Sequence, residues 1–242
     1  MAGPEETEYR KILAAPQEKI IDLLRGTGEY KVYSQKQRCA LWNRWARTTG
    51  QRVLKDANLA GVDLTRFDLR GFEFRGKVDL TGAILANASL AGADVRRAIL
   101  AGANLAGANL AGANFAGVNL AGANLAGAEM EGDNMTGAIL VGANLEGAYM
   151  GRVGLEIADL RQARLAGANL QRADLGEANL EKANLEKANL EGARLVNVNL
   201  RGARLVGANL EGADLKDAKG LTAQQLLSAK NVGRAKNVPK AA

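Results

Sequence analysis

A bulky apolar residue stands at every fifth position from Leu80 to Leu215, 28 positions without a break. Leu59, Leu64, Leu69 and Phe74 precede them in the same rhythm, offset by one inserted residue near Lys77. Two places before nearly every one is Ala or another small apolar residue, and the residue between is usually Asn or Asp, as in Ala103-Asn104-Leu105. An α-helix turns about 100° per residue, so a five-residue period marches around the cylinder and forms no stripe. In a straight strand an odd period throws successive leucines to opposite faces. A chain that turns a corner after every quintet buries them all: Leu and the small residue two before it share the inner side, Asn or Asp points out, and pairs such as Ala-Gly or Glu-Gly make the corner. The predicted architecture is a β-solenoid with leucine along its axis.

The stretch Ala101 to Ala126, AGANLAGANLAGANFAGVNLAGANLA, resembles the pentapeptide-repeat family, whose motif is A-(N/D)-L-x-x. The resemblance runs from about residue 57 to 218. It implies a right-handed quadrilateral β-helix with four repeats per coil, hence about eight coils and, at roughly 4.8 Å per coil, a rod roughly 38 Å long. The expected organisation is an α-helical N-terminal segment over residues 1–50, the solenoid over 51–219, and a C-terminal capping helix and tail over 220–242.

A solenoid leaves unpaired backbone at each end, so both ends need covers. Pro16 and Gly26 bracket one N-terminal helix. Ser34 and Gln37 form a capping box that opens another, running to about Arg47 and placing Arg38, Leu41, Trp42 and Trp45 on one face. Trp42 and Trp45 either pack on the first coil or stand exposed as an aromatic anchor for a partner. At the other end Thr222 and Gln225 form a second capping box, with a helix expected to end near Lys230 ahead of Gly233 and to lay Leu226 and Leu227 over the last coil.

Positions 20 apart stack in a four-sided coil. Asn104, Asn124 and Asn144 form an outward ladder, and Arg161, Glu181 and Arg201 an alternating-charge column. Ile84, Ile99, Ile139 and Tyr149 put apolar groups at outward positions. Ile99 and Ile139 share a column with Asn119 between them; with Tyr149 they are candidate partner contacts. Asp133 breaks the pattern by occupying an inward small-residue position. It is expected to bulge the backbone and reach a turn amide or water; alternatively, with Glu129 and Glu131, it holds an ion.

Net charge is +6, with basic ends: residues 101–150 hold four acids and no Lys or Arg, and no charge lies between Ala98 and Ala128. This is not the continuous basic stripe that tracks a phosphate backbone, so a nucleic-acid partner is not expected. The chain has no histidine and one cysteine, Cys39, which removes the commonest general base and any disulfide within the chain. No apolar run reaches the roughly 20 residues of a membrane span, and the first residues lack a signal-peptide core, so a cytoplasmic bacterial protein is expected.

A close-packed rod offers little concavity for a ligand. The leading expectation is therefore a non-enzymatic scaffold presenting rigid flat faces to a protein partner, with no catalytic residues, metal or cofactor, and with the C-terminal end as the candidate surface for a homodimer. A catalytic site would have to use Tyr9, Tyr30, Tyr33 or Cys39 in the first fifty residues, where no motif positions a base. The resemblance implies an alternative, because some family members bind DNA gyrase by imitating duplex DNA and protect it from quinolones; that role needs a dense negative surface, which the charge pattern lacks. A second alternative is a secreted effector that uses the rod as a spacer.

Overall fold

The computed structural model describes residues 17–239; Pro16, like Tyr9, lies outside them. Helix α1 (Gln17–Arg25) buries Ile20, Leu23 and Leu24 on one stripe and stops at Gly26, whose φ of 69° suits a helix C-terminus. A 3₁₀ turn over Gly28–Val32 leads to α2 (Gln35–Thr49), which opens with the reciprocal Ser34–Gln37 box. Arg38 of α2 donates to the C-terminal carbonyl of Leu24 at 2.7 Å, tying the two helices together.

The chain then winds into the solenoid. Strand β1 (Val53–Lys55) pairs in parallel with β2 (Glu73–Arg75), and β3 (Val78–Asp79) with β4 (Ala98–Ile99). Beyond these, single parallel bridges link outward residues 20 apart, such as Asn104 to Asn124 to Asn144, while around the insertion the spacing is 21, as in Asp63 to Ile84. Four such columns run the length of the rod, beginning at Asn58, Asp63, Asp68 and Glu73, and define its first to fourth faces. Leucines and their small partners fill the axis almost without exposure. This burial is the main favourable term in the fold, at roughly 1.5–3 kcal/mol per leucine before ordering costs.

The amides of one quintet can be accounted for completely. Leu105 donates to Asn124 of the next coil (2.6 Å), Gly107 to Ala126 (3.0 Å), Ala108 back to Leu105 across the corner (3.0 Å), and Asn109 to Ala88 of the preceding coil (2.9 Å). The remaining amide, Ala106, points away from both neighbours and is taken by the Asn104 side-chain Oδ1 at 3.2 Å. Asn or Asp is therefore favoured for a local reason: its carboxamide or carboxylate closes the one corner amide that the ladder leaves open. The spare Nδ2 of Asn124 then reaches Asn104 at 3.1 Å and that of Asn144 reaches Asn124 at 3.0 Å, forming the expected ladder.

Both ends are covered, by different means. At the start, side chains of the helices satisfy the open edge of the first coil. Gln17 donates to the Lys55 carbonyl, Arg25 to Asn58, Gln35 to Thr65 and Trp42 Nε1 to Asp68, each between 2.7 and 2.8 Å, while Asn43 accepts from the Asp68 amide at 2.7 Å. Phe67 and Phe72 replace the usual alanines in that coil, and Trp42 lies 6.2 and 5.2 Å from their rings.

At the finish, the expected lid is corrected. Helix α3 (Ala223–Ser228) spans only six residues, with its Thr222–Gln225 box intact. Leu226 packs against the core, but Leu227 is 87% exposed and covers nothing. Gly233 lies within a 3₁₀ turn over Val232–Arg234 rather than just past a helix end. The cover is instead a rewound tail: Lys230 bridges to Asn209 and Lys236 to Asp214, continuing the third and fourth columns. Gln225 Nε2 donates to the carbonyls of Leu200 (3.1 Å) and Ala203 (2.8 Å), standing in for the missing rung. Three columns thus end in a lysine: Lys219, Lys230 and Lys236.

Candidate functional site

In a molecule whose core is filled by leucine, candidate sites are confined to the faces, edges and ends. Trp42 and Trp45, 0% and 2% exposed, stack on each other at 4.9 Å between centroids and face the first coil. The exposed-anchor reading of these two residues is thereby corrected, because their rings are consumed in closing the rod.

The apolar residues on the outside behave differently. Ile99, Asn119 and Ile139 stack on the first face, and Ile84 heads the run of Asn104, Asn124 and Asn144 on the second. Ile84 and Ile139 are 40% and 41% exposed; Ile99 is half-buried. The edge between these faces carries Ala101, Ala121 and Val141, so from Thr81 to Asn144 this edge and the columns beside it hold no charged side chain. Each isoleucine also occupies the position where Asn or Asp would accept from a corner amide; a hydrocarbon side chain offers the amides of Ala86, Ala101 and Val141 no such acceptor. Tyr149, 58% exposed, belongs to the third face between Glu129 and Asn169, and so is not brought together with the isoleucines.

Asp133 is buried at 1% exposure. Its carboxyl accepts from the Ala113 amide at 3.2 Å and from the Gly112 amide, while Oδ2 has no partner. Burial pushes its pKa up to about 7, against the pull of those two amides. The expected contact with a turn amide is present. The expected bulge is not: Asn134 keeps its bridges to Asn114 and Gly154. The ion reading also fails, since no group of three or more acidic, Cys or His side chains among the described residues is placed to hold a metal.

Surface charges pair mostly within a quintet or between neighbouring coils. Arg161 turns to Asp159 at 2.6 Å and Glu181 to Lys182 at 3.9 Å, so the alternating-charge column does not form a continuous network. Arg164 reaches Glu146 at 2.8 Å, and Arg204 pairs with Glu186. These exposed pairs contribute little each. Cys39 donates to the Arg66 carbonyl at 3.3 Å, and partial burial raises its pKa, which disfavours the reactive thiolate. Tyr30 is buried. Among the described residues no helix is long and apolar enough to cross a membrane.

The model of the family described as pentapeptide repeats (8 copies) matches residues 77–100, 98–132, 113–152, 158–195 and 193–219. HetL, a pentapeptide repeat protein involved in heterocyst differentiation regulation in the cyanobacterium Nostoc sp. strain PCC 7120, is 33% identical over 69% of this chain and 84% of its own, with a TM-score of 0.37. Trypsin-treated QnrB1, a plasmid-mediated fluoroquinolone resistance protein, is 17% identical over 78% of this chain and 85% of its own, with a TM-score of 0.52, a likeness of fold. No curated protein matches the sequence significantly. With the quintet explained atom by atom and the family model matching more than half of its length, the chain belongs to the pentapeptide-repeat family.

Proposed function

We propose that this chain is a non-enzymatic interaction module, a right-handed rod of about eight coils that binds a protein partner along the uncharged edge between its first and second faces. The observation that carries the reading is the placement of Ile84, Ile99 and Ile139. At each of these positions the fold favours Asn or Asp, which would close a corner amide worth about 1 kcal/mol. Isoleucine forgoes that bond and presents apolar area to solvent on a strip without charges. Local stability is given up where a contact surface gains, as is usual for binding sites. Tyr149 would serve a separate contact on the third face.

The test is to restore the repeat's own preference. Ile99→Asn with Ile139→Asn should fold with equal or higher stability, measured by thermal unfolding, and should lose a partner that the wild-type rod retains in cross-linking capture. Retention of the same partner by the double variant would refute the assignment.

The gyrase-directed alternative draws on the family and on the fold of QnrB1. It finds less support in the charge pattern, since the net charge is +6 and the face acids Asp94, Asp159 and Asp174 are each paired with an arginine. A gyrase supercoiling assay with no inhibition at micromolar protein would remove it.

A further inference from the structure

Along the edge between the fourth and first faces the corners are not alike. In mid-rod they read Ala116-Gly117 and Thr136-Gly137. Nearest the N-terminal helices, three consecutive corners read Lys55-Asp56, Arg75-Gly76-Lys77 and Arg96-Arg97, placing five cations on one edge. The middle corner holds the inserted residue that lengthens the first coil to 21 residues. It is fixed in place: Asp56 Oδ1 accepts from the Lys77 amide at 2.9 Å, and that carboxylate occupies the space a Cβ on Gly76 would fill, at a φ of 66°.

Beside this corner lies a groove of about 450 Å³ lined by Lys55, Glu73, Arg75, Asp94, Arg96 and Arg97, with Phe74 and Gly76 between them. Arg75 is held on Glu73 at 2.7 Å and Arg96 on Asp94 at 2.7 Å, each guanidinium fixed by its own quintet's acid. Among the described residues Lys55, Lys77 and Arg97 have no carboxylate within ion-pair distance. Four cations and two acids line the groove, an excess of two positive charges. A phosphate monoester carries up to two negative charges at neutral pH and three strong acceptor oxygens, which matches that excess and suits guanidinium donors.

We propose that this groove binds the phosphate monoester group of a small molecule, with Arg97 and Lys55 gripping the dianion and Arg75 and Arg96 held ready by their acids. The site lies on a different edge from the isoleucine strip and stands independently of the protein-partner reading.

The test is titration of the full chain with inorganic phosphate at constant ionic strength, balanced by chloride, followed by amide NMR and calorimetry. Saturable shifts centred on Gly76, Lys77 and Arg97 are expected. The double variant Lys55→Glu with Arg97→Glu should weaken binding at least tenfold, whereas Lys182→Glu on another edge should leave it unchanged. Lys55→Gln with Arg97→Gln should give the same loss and serves if charge reversal disturbs the fold. Absence of saturable shifts at these amides, or equal binding by either double variant and wild type, overturns the proposal.

Discussion

Asp133→Ala restores the small residue that stacks at this inward position in the neighbouring coils, Ala113 and Val153, and should convert a pH-dependent rod into a pH-independent one. In the folded chain the Asp133 carboxyl keeps its proton up to about pH 7, whereas its ordinary value is 3.8. Between those values the native state binds a proton that the unfolded chain has released. Stability is therefore full below about pH 4, falls as pH rises through the window, and the contribution is gone above the folded value. Integrating the two titrations gives a loss of about 2.5 kcal/mol between pH 5 and pH 8 and about 4 kcal/mol across the whole window. Arginine hydrogen bonds lower the pKa of acids such as Asp68, Asp94 and Asp159 from the ordinary value, so these stay ionised across the pH range of the assay and do not interfere. The assay is urea unfolding followed by circular dichroism at pH 5, 6, 7 and 8 for wild type and variant. Wild type should lose stability steadily while Asp133→Ala stays level, and the variant should be the more stable protein at pH 8. Parallel pH profiles for the two proteins would refute the reasoning and place a compensating cation or water beside Oδ2.

Other substitutions probe the same architecture. Leu125→Asp puts a charge on the axis and should cost several kcal/mol or prevent folding. Asn124→Asp beside it keeps the acceptor for the Ala126 amide and should cost under about 1 kcal/mol; equal losses in Tm would invert the inward and outward assignment. Ile157 is a β-branched residue held at a φ of 53° on an exposed corner, so Ile157→Gly should raise stability by about 1 kcal/mol in thermal unfolding. Removal of residues 221–242 takes away Gln225 and the rewound tail. The bared rung should drive self-association, visible as a larger species in size-exclusion chromatography with light scattering.

Much of the solenoid was legible because its period admits one solution. A leucine at every fifth position cannot stay on one side of a helix or a straight strand, so the corners and the inward axis follow from spacing alone, whereas the stacking of asparagines 20 apart follows from the four-sided coil that the family resemblance implies. Both capping boxes were legible for the same reason, being local and tied to residue type. The parts that were not legible depend on long-range pairing. That Gln17, Arg25 and Gln35 spend their side chains on carbonyls 30 to 38 residues away has no local signature. Phe67 and Phe72 in alanine positions carried a signal that went unread: two large rings at small-residue positions mark the coil that an aromatic cap, here Trp42, packs against. The tail escaped because residues 229–236 pair with rungs 21 and 22 residues back while lacking the motif. A six-residue helix then leaves Leu227 pointing outward. The structural duty of Asn104 and its equivalents also emerged only when every amide was accounted for, and it is this duty that makes the three isoleucines informative.

Three of the four columns finish on an outward lysine, which concentrates positive charge at that pole. An incoming β-edge, whether from another copy or from an unfolding neighbour, would meet positive charge at that pole and a rung whose carbonyls Gln225 already occupies, so elongation by accretion is disfavoured there. With the helices sealing the opposite pole, the number of rungs between the two covers is set by the sequence rather than by concentration. The span of the solenoid between those two covers is thereby fixed by covalent sequence, one rung for every four quintets.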